Sequence, residues 1–166
     1  MHGDISLDQA GVGPNEVCIG LFGTAGKTTW RSAFVAACRE TDTQFFNPQV
    51  EDWDPSLAAI EAEHLATDRV LVFALTGATY GTGTLAEIGF AVAQVKGTDR
   101  HLLVYIEGDL DEALTDEVAR NESTRARRLV IAHMGKLDLP NVKLLDSLDA
   151  MLDESLRLAR ELGQRA

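Results

Sequence analysis

Apolar runs alternate with amphipathic segments five times along this chain, and that alternation limits the fold more than any other feature. Val17-Cys-Ile-Gly-Leu-Phe22, Thr43-Gln-Phe-Phe46, Val70-Leu-Val-Phe-Ala-Leu-Thr76, His101-Leu-Leu-Val-Tyr-Ile106 and Asn141-Val-Lys-Leu-Leu145 read as short strands. Between the first two, Trp30, Phe34, Val35 and Cys38 recur at helical spacing from about Thr28 to Glu40. Asp54 and Pro55 start a second helix as N-cap and first residue, running to about Thr67 with Leu57, Ile60, His64 and Leu65 inward. The residues after Glu112 read as helical to Gly135, in one piece or in two broken near Asn121-Glu-Ser123. Ser147 caps a last helix with Leu148, Met151, Leu152, Leu156, Ala159 and Leu162 on one face.

Strands apolar on both sides are covered on both sides, and strands alternating with helices make a parallel sheet. The expectation is an α/β fold, doubly wound and flavodoxin-like. It has a five-stranded parallel sheet in the order 2-1-3-4-5 and helices on both faces. That order sets the turns after strands one and three beside each other, so residues 24–30 and 82–87 face one cleft. A chain of 166 residues suits one domain, read here as residues 16–166 behind a polar, flexible leader at 1–15.

A formal net charge of -11 argues against a nucleic-acid polymer or an anionic membrane as partner. No apolar stretch reaches membrane-spanning length and the N-terminus lacks signal-peptide regions, so a cytoplasmic protein is expected. Cys18 and Cys38 form no Cys-x-x-Cys and read as small buried hydrophobes. The four histidines lack helical metal-site spacing, so no metal is expected, and no cofactor.

The first turn, Gly23-Thr-Ala-Gly-Lys-Thr-Thr-Trp30, resembles a phosphate-binding P-loop but fails the count. Five residues separate Gly20 from Gly26 where the motif needs four, and Asp68 precedes its strand instead of closing it. Its amides can still cradle a phosphate or hydroxyl group. The turn after strand three runs into Gly81-Thr-Gly-Thr-Leu-Ala-Glu87. With Thr84 as N-cap, Glu87 falls at N3, where the helix dipole keeps a carboxylate ionised. Two readings fit: Thr84-Leu-Ala-Glu87 as a capping box that only returns a hydrogen bond, or Glu87 as a chemical group at the mouth of the sheet. Glu61 and Glu63 lie near the end of the second helix, where acids are disfavoured, as a solvated face or as acids held for another purpose. Arg125, Arg127 and Arg128 form the densest basic cluster, either a surface helix face or an anion or subunit contact.

Gly83-Thr-Leu-Ala-Glu-Ile-Gly-Phe-Ala91 resembles the G-T-x-x-E-[IL]-G-x-A signature of nucleoside 2-deoxyribosyltransferases and related nucleotide N-glycosidases. Thr29-Trp-Arg31 and Phe46-Asn-Pro-Gln-Val-Glu-Asp-Trp53 are similar to the deoxyribosyltransferase-like branch. The resemblance runs from about Val17 to Val95. It implies retaining N-glycosyl transfer on a nucleoside or nucleotide. Glu87 would be the nucleophile that forms a glycosyl ester, and Glu61 or Glu63 would assist the leaving base. It places substrate contacts at Gly23, Thr24, Lys27, Trp30, Asp52, Tyr80, Thr82 and Gly83. It also implies a homo-oligomer in which Asn121 or Arg125 reaches a neighbour's cleft. Two positions depart from the family. Gly81 stands where transferases carry an acid and glycosidases a serine, and Leu21 and Phe22 stand where a tyrosine commonly ends strand one. The alternatives left open are a nucleoside 5′-monophosphate N-glycosidase and a non-catalytic nucleotide-sensing module.

Overall fold

The structure, a computed structural model, describes residues 17–25, 28–49, 54–55 and 57–164. The expected leader, Lys27, Asp52 and the rest of residues 50–53 lie outside the described residues. In chain order the elements are β1 (Cys18–Gly23), α1 (Trp30–Glu40), β2 (Gln44–Phe46), α2 (Leu57–Thr67) and β3 (Val70–Leu75). They continue as α3 (Thr82–Val95), β4 (His101–Ile106), α4 (Glu117–Met134), β5 (Val142–Leu145) and α5 (Leu148–Gly163).

All five strands are parallel in the order β2-β1-β3-β4-β5, as the alternation predicts. The central strand β3 is buried along its whole length, which is why Val70-Leu-Val-Phe-Ala-Leu75 is apolar without alternation. One face packs Ile19, Leu21, Val70, Val72 and Leu103 against Trp30, Phe34 and Cys38 of α1 and Met151, Leu158 and Leu162 of α5. The other packs Phe22, Phe46, Leu71, Phe73 and Leu102 against Ile88, Ala91 and Val95 of α3 and Met134 of α4, with Ile60 and Leu65 of α2 at its edge. Cys18 and Cys38 are buried free thiols, as the composition suggests. No helix among the described residues is long and apolar enough to cross a membrane.

The carboxyl ends of β1 and β3 meet closely. Gly23 has φ +118°, and a Cβ there would collide with the backbone of Ala74. Thr24 then stitches the two strands. Its N–H donates to the Ala74 carbonyl at 2.9 Å, its Oγ1 to the same oxygen at 3.1 Å, and the Thr76 N–H donates back to Oγ1 at 3.2 Å.

One open alternative is decided and one expectation is corrected. The fourth helix is unbroken through Asn121-Glu-Ser123, because Asn121 and Glu122 face solvent while Ser123 turns inward and donates to the Tyr80 carbonyl at 2.7 Å. The third helix starts a turn before Thr84. Gly81, at φ 68° and ψ 27°, is its N-cap, and the Leu85 N–H closes the first turn on the Gly81 carbonyl at 2.9 Å.

Candidate active site

Moving the helix start moves Glu87. It lies six residues past the N-cap, in the second turn, so it makes no capping box and receives little from the helix dipole, which fades beyond the first turn. Thr84 is buried instead of capping. The capping-box reading therefore fails, and so does the expectation that the helix terminus keeps Glu87 ionised. Burial, followed by repulsion from Glu61, raises the Glu87 carboxyl above its ordinary value, while Arg31 pulls it back. Glu61 is raised in turn by burial and opposed by Arg31.

Arg31 is the cation of this group, and it was not among the residues singled out from sequence. Only 3% exposed, it donates Nε to the Leu21 carbonyl at 2.9 Å, Nη1 to Thr24 at 2.6 Å and Nη2 to Gly23 at 3.1 Å. Its guanidinium carbon lies 4.4 Å from the Trp30 ring centroid. The guanidinium thus caps the carboxyl end of β1, where the strand carbonyls run out of sheet partners. Burial lowers its pKa to about 10, and Glu61 and Glu87 oppose that fall. Helices α1, α2 and α3 therefore contribute one cation and two carboxyls to a single electrostatic cluster. An ionised Glu61 thus makes Glu87 harder to ionise, and Arg31 favours the charged form of both.

A second arginine shapes the turn before α3. Arg127 is 1% exposed and donates Nη1 to the carbonyls of Glu107 at 2.7 Å and Leu75 at 3.3 Å. Its Nη2 donates to Thr76 at 3.0 Å and Thr79 at 2.9 Å. The central member of the basic cluster is thus a bracket inside the protein. Arg125 instead stays on the surface beside Glu122 at 3.3 Å. Tyr80 is held at both ends, its hydroxyl accepting the Asp116 N–H at 3.1 Å and its carbonyl accepting from Ser123.

The remaining sequence-derived residues divide by place. Thr82 and Gly83 are exposed at the start of α3, with open space around Gly83. Glu63 is exposed on α2, unlike Glu61, which is half buried. Gly23 and Thr24 serve the strand junction, and the Thr24 carbonyl accepts from Thr28 Oγ1, Trp30 Nε1 and Arg31. Trp30 is mostly core, yet one edge borders a cleft of about 520 Å³ at the switch point, together with Thr28, Thr29, Thr76, Gly77 and Ala78. Glu107, Asp109, Asp111 and Glu112 line the other side of that cleft, whereas Glu61 and Glu87 do not border it. Asn121 and Arg125 sit on the exposed side of α4 with Val118 and Leu129, away from the carboxyl pair.

Comparison with known proteins bears on this arrangement. A family described as "Nucleoside 2-deoxyribosyltransferase like" matches residues 19–105, more than half of the chain, from β1 through β4. No curated protein matches with significant similarity. Among solved structures, the chain is similar to a TIR domain in the crystal structure of the RPS4 and RRS1 TIR domain heterodimer. The two share 16% identity over 90% of this chain and 98% of that one, with a TM-score of 0.51. At that identity the likeness speaks for the fold alone.

Proposed function

Because the chain belongs to the nucleoside 2-deoxyribosyltransferase-like family, we propose that it cleaves or transfers the N-glycosyl bond of a nucleoside or nucleotide through a covalent intermediate on Glu87. The observation that carries this reading is the carboxyl pair Glu61 and Glu87 sharing the field of Arg31. Retaining glycosyl transfer needs two carboxyl groups in different protonation states, and mutual repulsion beside one cation supplies that division.

In the first step Glu87, ionised, attacks the anomeric carbon; a C–O ester bond forms as the C–N bond breaks. Glu61, in its protonated form, delivers its proton to the departing base and is left as a carboxylate. In the second step the oxygen of water, or the ring nitrogen of an incoming base, bonds to the anomeric carbon while its proton passes to Glu61, and the ester C–O bond breaks to free Glu87 as a carboxylate. Glu61 is favoured over Glu63 as the acid because Glu63 lies exposed, outside the field of Glu87. Arg31 opposes the rise of Glu87 and so favours its ionised, nucleophilic form.

Arg127 and the Thr24 junction contribute by holding the two turns rigid before substrate arrives, which avoids reorganisation during reaction. The net charge of -11 favours a neutral nucleoside over its 5′-monophosphate. Val118, Asn121, Arg125 and Leu129 on α4, with exposed Phe90 of α3, form the surface on which a second copy would complete a homo-oligomer. Gly81 in place of an acid or serine favours a second reading, a nucleotide-sensing module of the same fold.

The test is base release from a panel of nucleosides and nucleotides by the wild type and Glu87→Gln. Release by the wild type alone supports the covalent reading. Equal release by both overturns it. Binding without release by either selects the sensing module.

A further inference from the structure

At the opposite, amino end of the sheet, three residues from separate elements converge. The ligating atoms of Cys18 in β1, His64 in α2 and Asp68 before β3 all lie within 4.8 Å of one another. His64 Nδ1 is 3.0 Å from Asp68 Oδ1, and the imidazole is stacked on Phe46 with ring centroids 3.7 Å apart and an interplanar angle of 3°. The stacking and the Asp68 contact together orient the ring toward the carboxylate.

Asp68 is 4% exposed, yet its second oxygen, Oδ2, accepts no hydrogen bond of good geometry, and the Cys18 thiol lies beside it. A buried carboxylate oxygen without a donor is costly, and buried acids are normally paired or coordinated to a cation. A second orphaned oxygen lies next door. Gln44 pairs with Cys18 in the β1–β2 register, and its Oε1 is buried without a partner. On neighbouring parallel strands, residues in register point to the same face.

We propose that Cys18, His64 and Asp68 form a binding site for a divalent cation of the zinc type. The donor set of one thiolate, one imidazole and one carboxylate is the mixed S, N, O chemistry that zinc accepts, whereas magnesium and calcium prefer oxygens alone. Bond lengths of about 2.0–2.3 Å place tetrahedral ligands about 3.3–3.8 Å apart, so donors lying within 4.8 Å of one another close by about 1.5 Å at most, while the His64–Asp68 pair at 3.0 Å opens slightly. His64, in the last turn of α2 and half buried, can supply that movement. On binding, the thiol proton leaves to solvent as the Sγ–metal bond forms, and the fourth position is left for water or Gln44 Oε1. The cation would clamp β1, α2 and the entry to β3 at the end of the sheet remote from Glu87.

The sequence hides this site because 45 residues separate Cys18 from His64 and the histidines show no paired spacing. The test uses the reduced full chain, stripped of metal and titrated with Co²⁺, followed by Zn²⁺. The expected result is a near-ultraviolet thiolate-to-cobalt charge-transfer band that saturates at one equivalent and is bleached by Zn²⁺. Cys38→Ala keeps the band, Cys18→Ala loses it, and His64→Gln weakens Co²⁺ binding at least tenfold. His64 is partly solvent-facing, so its variant keeps the test decisive if Cys18→Ala does not fold. Absence of the band in the wild type, its survival in Cys18→Ala, or unchanged affinity in His64→Gln overturns the proposal.

Discussion

Replacing Arg127 with Met keeps most of the buried stem and removes the guanidinium that four carbonyls share. Leu75 keeps another donor, the Glu107 N–H at 2.9 Å, but the carbonyls of Thr76, Thr79 and Glu107 lose the arginine. Hydrogen bonds to a charged group contribute about 1.5–3 kcal/mol each, and a stranded buried polar group costs about 1–3 kcal/mol. Relief of the buried charge and entry of water at the sheet end offset part of this, so the expected net loss is about 3–4 kcal/mol. For a domain of this size the corresponding fall in Tm is about 6–15 °C. Arg127→Lys should recover only part of it, because an ammonium has no planar fork to span two loops. Arg125→Met, on the same helix but solvent-exposed, should change stability by less than about 0.5 kcal/mol. Thermal and urea unfolding of the three variants make the comparison. Amide exchange at residues 76–81 should quicken only in the Arg127 variants. An Arg127→Met protein as stable as Arg125→Met would refute the view that this residue holds the turn before α3.

Gly81→Ala places a Cβ at φ 68° and against Leu75, so it should cost about 2 kcal/mol by urea unfolding; a neutral change would show that the left-handed cap is dispensable. Burial holds the Glu61 and Glu87 carboxyls above their ordinary 4.5, so the folded state binds these protons more tightly than the unfolded chain. Their contribution to stability is therefore full below that value and is lost as pH rises through the folded pKa. Glu61→Gln should then raise Tm at neutral pH, with the gain vanishing in acid, while slowing base release because it removes the proton donor. A gain independent of pH would contradict this assignment. Glu154 has the opposite sign. Hydrogen bonds from Arg157, then Lys143, hold it at about 2, so its stabilisation exists above 4.5 and disappears as pH falls toward 2. Glu154 is half buried but Arg157 and Lys143 are exposed, so Glu154→Gln should cost under about 1 kcal/mol at neutral pH and markedly less at pH 2.

The sheet was legible because its information is local. Five apolar runs of strand length, separated by helical spacing, leave few topologies, and the Ser147 cap appears as read, with Oγ accepting the Ala150 N–H at 3.0 Å. The start of α3 was misread because its cap is a backbone feature. Gly81 in the left-handed region leaves no side-chain signature, while Thr84 three residues before Glu87 imitates one. Arg31 and Arg127 were illegible for a related reason: their partners are main-chain carbonyls from strand ends, which any sequence supplies. The signal that was available is context. Arg31 lies three residues before the inward Phe34 in the first turn of α1, and Arg127 lies four residues after Ser123, which puts both on inward-facing rows. Glu87 could be picked out as a candidate from its motif, but its electrostatic company depends on three helices meeting at one end of the sheet.

The central claim is that Glu87 takes the sugar. Wild-type protein quenched in acid during turnover of a reactive nucleoside, digested and sequenced by mass spectrometry, should carry one glycosyl ester on the peptide containing Glu87. Glu87→Gln should carry none and release no base. An active wild type with the adduct on another residue, or base release at the wild-type rate by Glu87→Gln, would contradict the account.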